Sequence, residues 1–148
     1  MVMITSEIKS FLDSHKLGYV ATVSEDGLPN LSPKGTIVGW DENTLAFADI
    51  RSPDTMKNLE SNPNVEINTI DPLSRKGYLF SGKARILSNG KQYDEILSFY
   101  RDKGIKSPIG SIVLVDVSKV SEVTSPLYDM GISEGEIREK WKKHFEDL

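Results

Sequence analysis

"GYVATVSEDGLPNLSPKGTIVGWDENTLAFAD", Gly18 to Asp49, is the stretch whose reading decides the fold. "GYVATVS" is a short run rich in β-formers, and "EDG" after it has the chemistry of a tight hairpin turn. An extended "LPNLSPKGTIVGW" follows, then "DEN" as a second turn and "TLAFAD" as a strand. The spacing predicts a three-stranded antiparallel meander.

Upstream, "SEIKSFLDSH" carries Ile8, Phe11 and Leu12 at helical spacing. Downstream, "RSPDTMKNLESNPNVEI" (Arg51 to Ile67) opens as a helix with Ser52 at the cap and Pro53 at the first helical position. "NPN" closes that helix and "VEINTID" returns to strand. The long strand "YLFSGKARIL" puts Tyr78, Phe80, Gly82, Ala84 and Ile86 on one face. A third helix, "KQYDEILSFYRDKG", aligns Tyr93, Ile96, Leu97 and Tyr100 on one stripe, and the β-branched "SIVLVDVSKVSEV" is the last strand. The final helix starts at the capping box Ser133-x-x-Glu136 and carries Ile137, Trp141 and Phe145 at i, i+4, i+8. About six strands, mostly joined by hairpins, with short helices between and at the ends, predict a mainly β fold: a small antiparallel barrel with peripheral helices. Nothing divides the 148 residues, so a single domain over 1–148 is expected.

Composition narrows the function classes. There is no cysteine, hence no disulfide framework and no thiolate chemistry. His15 and His144 lie far apart in sequence, so no metal centre or histidine triad is expected. The formal net charge of -4, with acids and bases interspersed, argues against a nucleic-acid partner. The basic "REKWKKH" alternates with Glu on a helix and reads as a solvated face. No apolar run has the roughly 20 residues of a membrane-spanning helix and no signal-peptide core is present, so a cytoplasmic location is expected.

Two stretches carry more polar chemistry than their elements need. Arg51, Ser52, Thr55, Lys57 and Asn58 put two cations, two hydroxyls and an amide around one helix N-terminus. Such a terminus offers unpaired N–H groups and a partial positive charge, which suit an anion and above all a phosphate. A capped surface helix accounts for the same residues, and Asp54 in the first turn belongs to that simpler reading. In "PNLSPKGTIV", Pro33 and Gly35 interrupt a strand, while Ser32, Lys34 and Thr36 place donors at alternate positions. Backbone groups released from a ladder there can meet a planar ligand; a protected edge strand is the alternative.

Together these stretches resemble the FMN-binding split barrels of the pyridoxamine 5'-phosphate oxidase-like family, especially its short members of the small FMN-binding protein type. The resemblance runs from about Ser6 to Pro126. It rests on the order of elements, the "DG-x-P" hairpin before the Ser-Pro strand, and the pattern of Ser52, Thr55, Asn58, Leu59, Asn62, Pro63 and Val65. It implies a six-stranded antiparallel split β-barrel that binds FMN as a homodimer, with flavin sites at the subunit interface. Arg51, Ser52, Thr55, Lys57 and Asn58 become phosphate contacts, and Ser32, Pro33, Lys34, Gly35 and Thr36 become flavin-ring contacts, largely through backbone. The chain departs from the oxidases proper: Pro33 and Val38 stand where a basic strand would carry Arg and Lys, and the C-terminal Arg-x-His substrate triplet is missing. These departures argue against pyridoxamine phosphate oxidation, and neither histidine matches the haem-ligating position of some split barrels.

Two functions follow from the resemblance. One is an FMN-dependent oxidoreductase acting on a small molecule, with no acid–base pair that can be named catalytic; the other is a flavin carrier, electron-transfer partner or sensor without turnover. Deazaflavin F420, with its longer phosphodiester tail, is the alternative cofactor.

Overall fold

The computed structural model describes residues 2–148, which form four α-helices and one seven-stranded antiparallel sheet. In chain order these are α1 (Ser6–His15), β1 (Gly18–Val23), β2 (Pro29–Lys34), β3 (Val38–Gly39), β4 (Thr44–Asp49) and α2 (Pro53–Ser61). Then come β5 (Asn64–Ile70), β6 (Lys76–Leu87), α3 (Lys91–Asp102), β7 (Ser111–Thr124), a 3-10 turn at Pro126–Tyr128 and α4 (Glu134–Glu146). The strand order is β2-β1-β5-β6-β7-β4-β3, and the sheet curls into a half-barrel.

The strand count is seven rather than six because the extended stretch after the first hairpin does not stay one strand. Pro33 and Gly35 end its ladder, so β2 pairs with β1 only as far as Lys34 opposite Gly18, and a separate β3 pairs with β4. For the same reason there is no continuous three-stranded meander. The β1–β2 hairpin and the β3–β4 hairpin lie at opposite edges of the sheet, and β4 pairs with β7 along its whole length. Residues 35–37 link these two edges, with Ile37 fully buried.

Two apolar clusters fill the fold. The larger gathers Ile8 and Leu12 of α1, Val20, Ile37, Phe47, Ile67, Phe80 and Val113 inside the curl. The smaller sets Ile96 and Tyr100 of α3 against Ala46, Ala48, Ile112 and Leu114. Each fully buried side chain of this size contributes about 1.5–3 kcal/mol relative to exposure. The β6–β7 ladder shifts register between Ser81 and Gly82, where Ser118 of β7 is the extra, unpaired residue; a Cβ at Gly82 would strike the Asp116 carbonyl of β7, so the close approach there needs glycine.

The turn between β5 and β6 holds α4 down. Arg138 pairs with buried Asp71 at 3.1 Å, Lys76 with Glu134 at 3.0 Å, and Tyr128 donates to the Ser74 carbonyl at 2.6 Å. The Arg75 guanidinium lies 3.5 Å from the centroid of the Trp141 ring. Among the described residues no helix is long and apolar enough to cross a membrane.

Candidate functional site

The fold brings the end of β2, the end of β4 and the start of α2 to one place. Ser32, Pro33, Arg51, Ser52 and Thr55 line a single cavity of about 200 Å³, together with Asn30, Leu31, Pro53 and Asp54. The first five come from both stretches singled out in the sequence. They meet because α2 packs back on β1 and β2, burying Thr55, Asn58 and Leu59 on its inner face.

Helix α2 begins without a side-chain cap. Ser52 occupies the cap position, but its hydroxyl donates to Asp49 Oδ1 at 2.7 Å instead of accepting from the first turn. The first N–H groups of an α-helix have no intrahelical partner. Here the residues that carry them, Asp54 and Thr55, line the cavity. The exposed Arg51 guanidinium and the Ser32 and Thr55 hydroxyls complete the donor set, the Ser52 proton being committed to Asp49. Asp49 and Asp54 add negative charge nearby and limit how tightly an anion is held. Donor type, geometry and cavity fit a phosphate monoester.

Lys34 is almost buried beside this cavity and donates from Nζ to Ser32 Oγ at 2.8 Å. Burial pushes the Lys34 ammonium below its ordinary pKa, and the Asp49 carboxylate opposes that fall. Lys34, Ser32, Asp49 and Ser52 thus form one polar group at the β2–β4–α2 junction.

The other sequence candidates are placed elsewhere. Gly35 and Thr36 line a neighbouring cavity of about 190 Å³ whose walls include Ile37, Val38, Phe99 and Tyr100. Lys57 and Asn58 line a third, of about 330 Å³, beneath the turn of the β1–β2 hairpin. Within it the Asn58 amide donates to Thr22 Oγ1 at 3.0 Å, so that amide is already engaged in fastening the helix to β1. Asn30, Asp49 and Tyr100 were not singled out in the sequence. The Asp49–Ser52 spacing of three across a strand–helix junction was a visible signal; nothing local marks Tyr100 as more than a core aromatic.

Among the described residues no group of three His, Asp or Glu side chains is placed to hold a metal ion.

One antiparallel sheet curled into a half-barrel, with a cavity at a strand–helix junction, defines a split-barrel protein. The family model described as pyridoxamine 5'-phosphate oxidase matches residues 4–123, and the chain belongs to that family. Among solved structures, HupZ from Group A Streptococcus is 29% identical, with a TM-score of 0.75 over 83% of this chain and 96% of HupZ. An FMN-binding protein from Syntrophomonas wolfei is 15% identical, with a TM-score of 0.68 over 79% of this chain and 84% of its own. An F420 reductase is 23% identical, with a TM-score of 0.61 over 76% of this chain and 94% of its own. The last two share the fold. No curated protein matches the chain significantly.

Proposed function

We propose that this chain is an FMN-binding flavoprotein that acts as an oxidoreductase on a small molecule. The observation that carries the reading is the convergence of Arg51, Ser52, Thr55 and Ser32 on one cavity at the uncapped start of α2. Family membership and the shared fold of an FMN-binding protein support it. Arg51, Ser52 and Thr55 hold the phosphate, with Lys57 next along the helix and Asn58 fixing the helix on β1 through Thr22. Ser32 to Thr36 border the flavin ring, Lys34 supplying a positive charge and Gly35 and Thr36 supplying backbone amides that lie outside the ladder. Bound FMN supplies one- and two-electron chemistry, and the protein binds, orients and tunes it. The protein works as a cytoplasmic homodimer with flavin at the interface, a reading supported by the family relationship. The F420 alternative draws on the fold shared with an F420 reductase. A single cation, Arg51, beside Asp54 suits a short monoester better than the longer diester tail.

The test is the absorbance spectrum of freshly purified protein, followed by mass identification of the released cofactor and titration of stripped protein with FMN and riboflavin. Flavin absorbance, release of FMN and tighter binding of FMN than of riboflavin are expected. Equal affinities for the two flavins would remove the phosphate site, and released F420 would replace the cofactor. Turnover of NADH or NADPH with an artificial acceptor separates an enzyme from a carrier.

A further inference from the structure

The segment between β2 and β3 has no ladder partner, yet it is held rigidly. Lys34 is the last residue of β2 paired to β1, and Val38 is the first of β3 paired to β4. Between them, Thr36 is pinned from two sides. Its carbonyl accepts from the Tyr100 hydroxyl at 2.8 Å, a buried bond 64 residues apart in sequence. Its Oγ1 accepts from the Ala48 amide of β4 at 2.9 Å. Ile37, next along, is fully buried. Gly35 differs: it is exposed, and a Cβ built there would meet no atom within 4 Å. The backbone at Gly35 therefore borders open space while the residues after it are locked to β4 and α3.

Tyr100 itself is a costly residue to place there. It is only 1% exposed, and an apolar side chain of similar size would fill the α3 cluster without needing a hydrogen-bond partner. Burial raises its pKa far above the ordinary phenol value, so the hydroxyl stays a donor at any working pH. Its one hydrogen bond goes to the segment that borders the proposed ring site.

We propose that Tyr100 is a positioning residue for flavin: its bond to the Thr36 carbonyl fixes the Gly35–Thr36 backbone in the geometry that receives the ring. This rests on the flavin reading above. A ring-positioning residue acts equally on FMN and riboflavin, which share the ring. A phosphate contact such as Arg51 acts on FMN alone.

The experiment compares Tyr100→Phe with Tyr128→Phe. Tyr128→Phe deletes a part-buried phenol-to-carbonyl bond elsewhere, at Ser74 in the β5–β6 turn. Thermal midpoint, FMN and riboflavin dissociation constants and visible circular dichroism of the bound flavin are measured for each. Both variants are expected to melt lower than the parent. Only Tyr100→Phe is expected to weaken FMN and riboflavin by the same factor, about 3- to 10-fold, the range of one net hydrogen bond. It should also change the visible dichroism. Thr36→Val removes the other pin and is expected to show the same signature, which keeps the test available if Tyr100→Phe folds poorly. Parental flavin affinity in folded Tyr100→Phe or Thr36→Val, or a loss confined to FMN, overturns the inference while leaving the flavin site in place. A parent protein that binds neither flavin overturns the functional reading, and this one with it.

Discussion

The Asn58 amide donates to Thr22 Oγ1 at 3.0 Å, and this buried bond between α2 and β1 spans 36 positions of sequence. It sets the depth at which α2 sits on the sheet, and hence where the helix start meets the end of β2. Asn58→Ala removes the donor from a buried pair and is expected to cost about 1–3 kcal/mol of stability. Because the amide is engaged with Thr22, FMN affinity should stay within about twofold, which is under 0.5 kcal/mol. Denaturant melts and flavin titration check both halves. A loss of FMN affinity matching that of Arg51→Ala would place Asn58 against the phosphate instead.

Arg51 is exposed and lines the cavity at the start of α2. Arg51→Ala is expected to leave stability within about 0.5 kcal/mol of the parent. Loss of a hydrogen bond to a charged group, worth roughly 1.5–3 kcal/mol, should weaken FMN about 10- to 150-fold. Riboflavin should lose far less, and the salt dependence of FMN binding should flatten. Thr55→Ala should weaken FMN without flattening the salt dependence, and because Thr55 is 1% exposed it should also lower stability. Unchanged FMN affinity in both variants would dismiss the phosphate site.

Asp49 takes the Ser52 hydroxyl and opposes the lowered pKa of Lys34. It also brings negative charge close to where the phosphate is proposed to sit. Asp49→Asn is expected to tighten FMN by several-fold, since a like charge near 4 Å costs about 1 kcal/mol even in water. The Lys34 pKa should fall further once its nearest counter-charge is gone. Calorimetric titration with FMN is the check; weaker binding would mean that Asp49 serves the site by holding Ser52.

Asp71 anchors α4 through Arg138. Burial opposes its ionisation, but the Leu73 amide, the Ser74 hydroxyl, His15 and Arg138 outweigh burial and hold the carboxyl below its ordinary value. A lowered folded pKa stabilises fully above the unfolded value, near 3.9, and that stabilisation disappears as pH falls through the folded value. Asp71→Asn should therefore cost stability at neutral pH, about 1–3 kcal/mol, and should lose less than the parent as pH falls below about 4. Thermal midpoints across that range measure it. Parallel acid limbs for variant and parent would show that another carboxylate governs the loss.

Most of the elements could be read locally, because each rests on interactions within a few residues. Apolar spacing sets the buried faces of α1 and α3, and "EDG" closes the β1–β2 hairpin. Ser133 caps α4 by accepting from the Glu136 amide, as the capping box predicts. Pro33 and Gly35 announced a break in their strand. What the break did to the sheet was not local. Whether β4 lies beside β2 or across the curl beside β7 depends on β-branched residues some 65 positions further on, whose burial decides the pairing.

The candidate site divides in the same way. Residue types capable of binding a phosphate were evident around Ser52, because helix starts attract anions whatever their surroundings. Which of those residues share one cavity was decided by the packing of α2 on β1 and β2, which turned Asn58 inward to Thr22 and left Arg51 outside. Ser52 took Asp49 as its partner instead of its own helix's amides, a contact three residues apart that is local to the strand–helix junction. The bond from Tyr100 to Thr36 joins an edge break to a distant helix, so no local pattern encodes it. Helix and turn hydrogen bonds and apolar periodicity act over a few residues and are written in the sequence. Burial pairs side chains from anywhere in the chain, so it took the folded structure to place them.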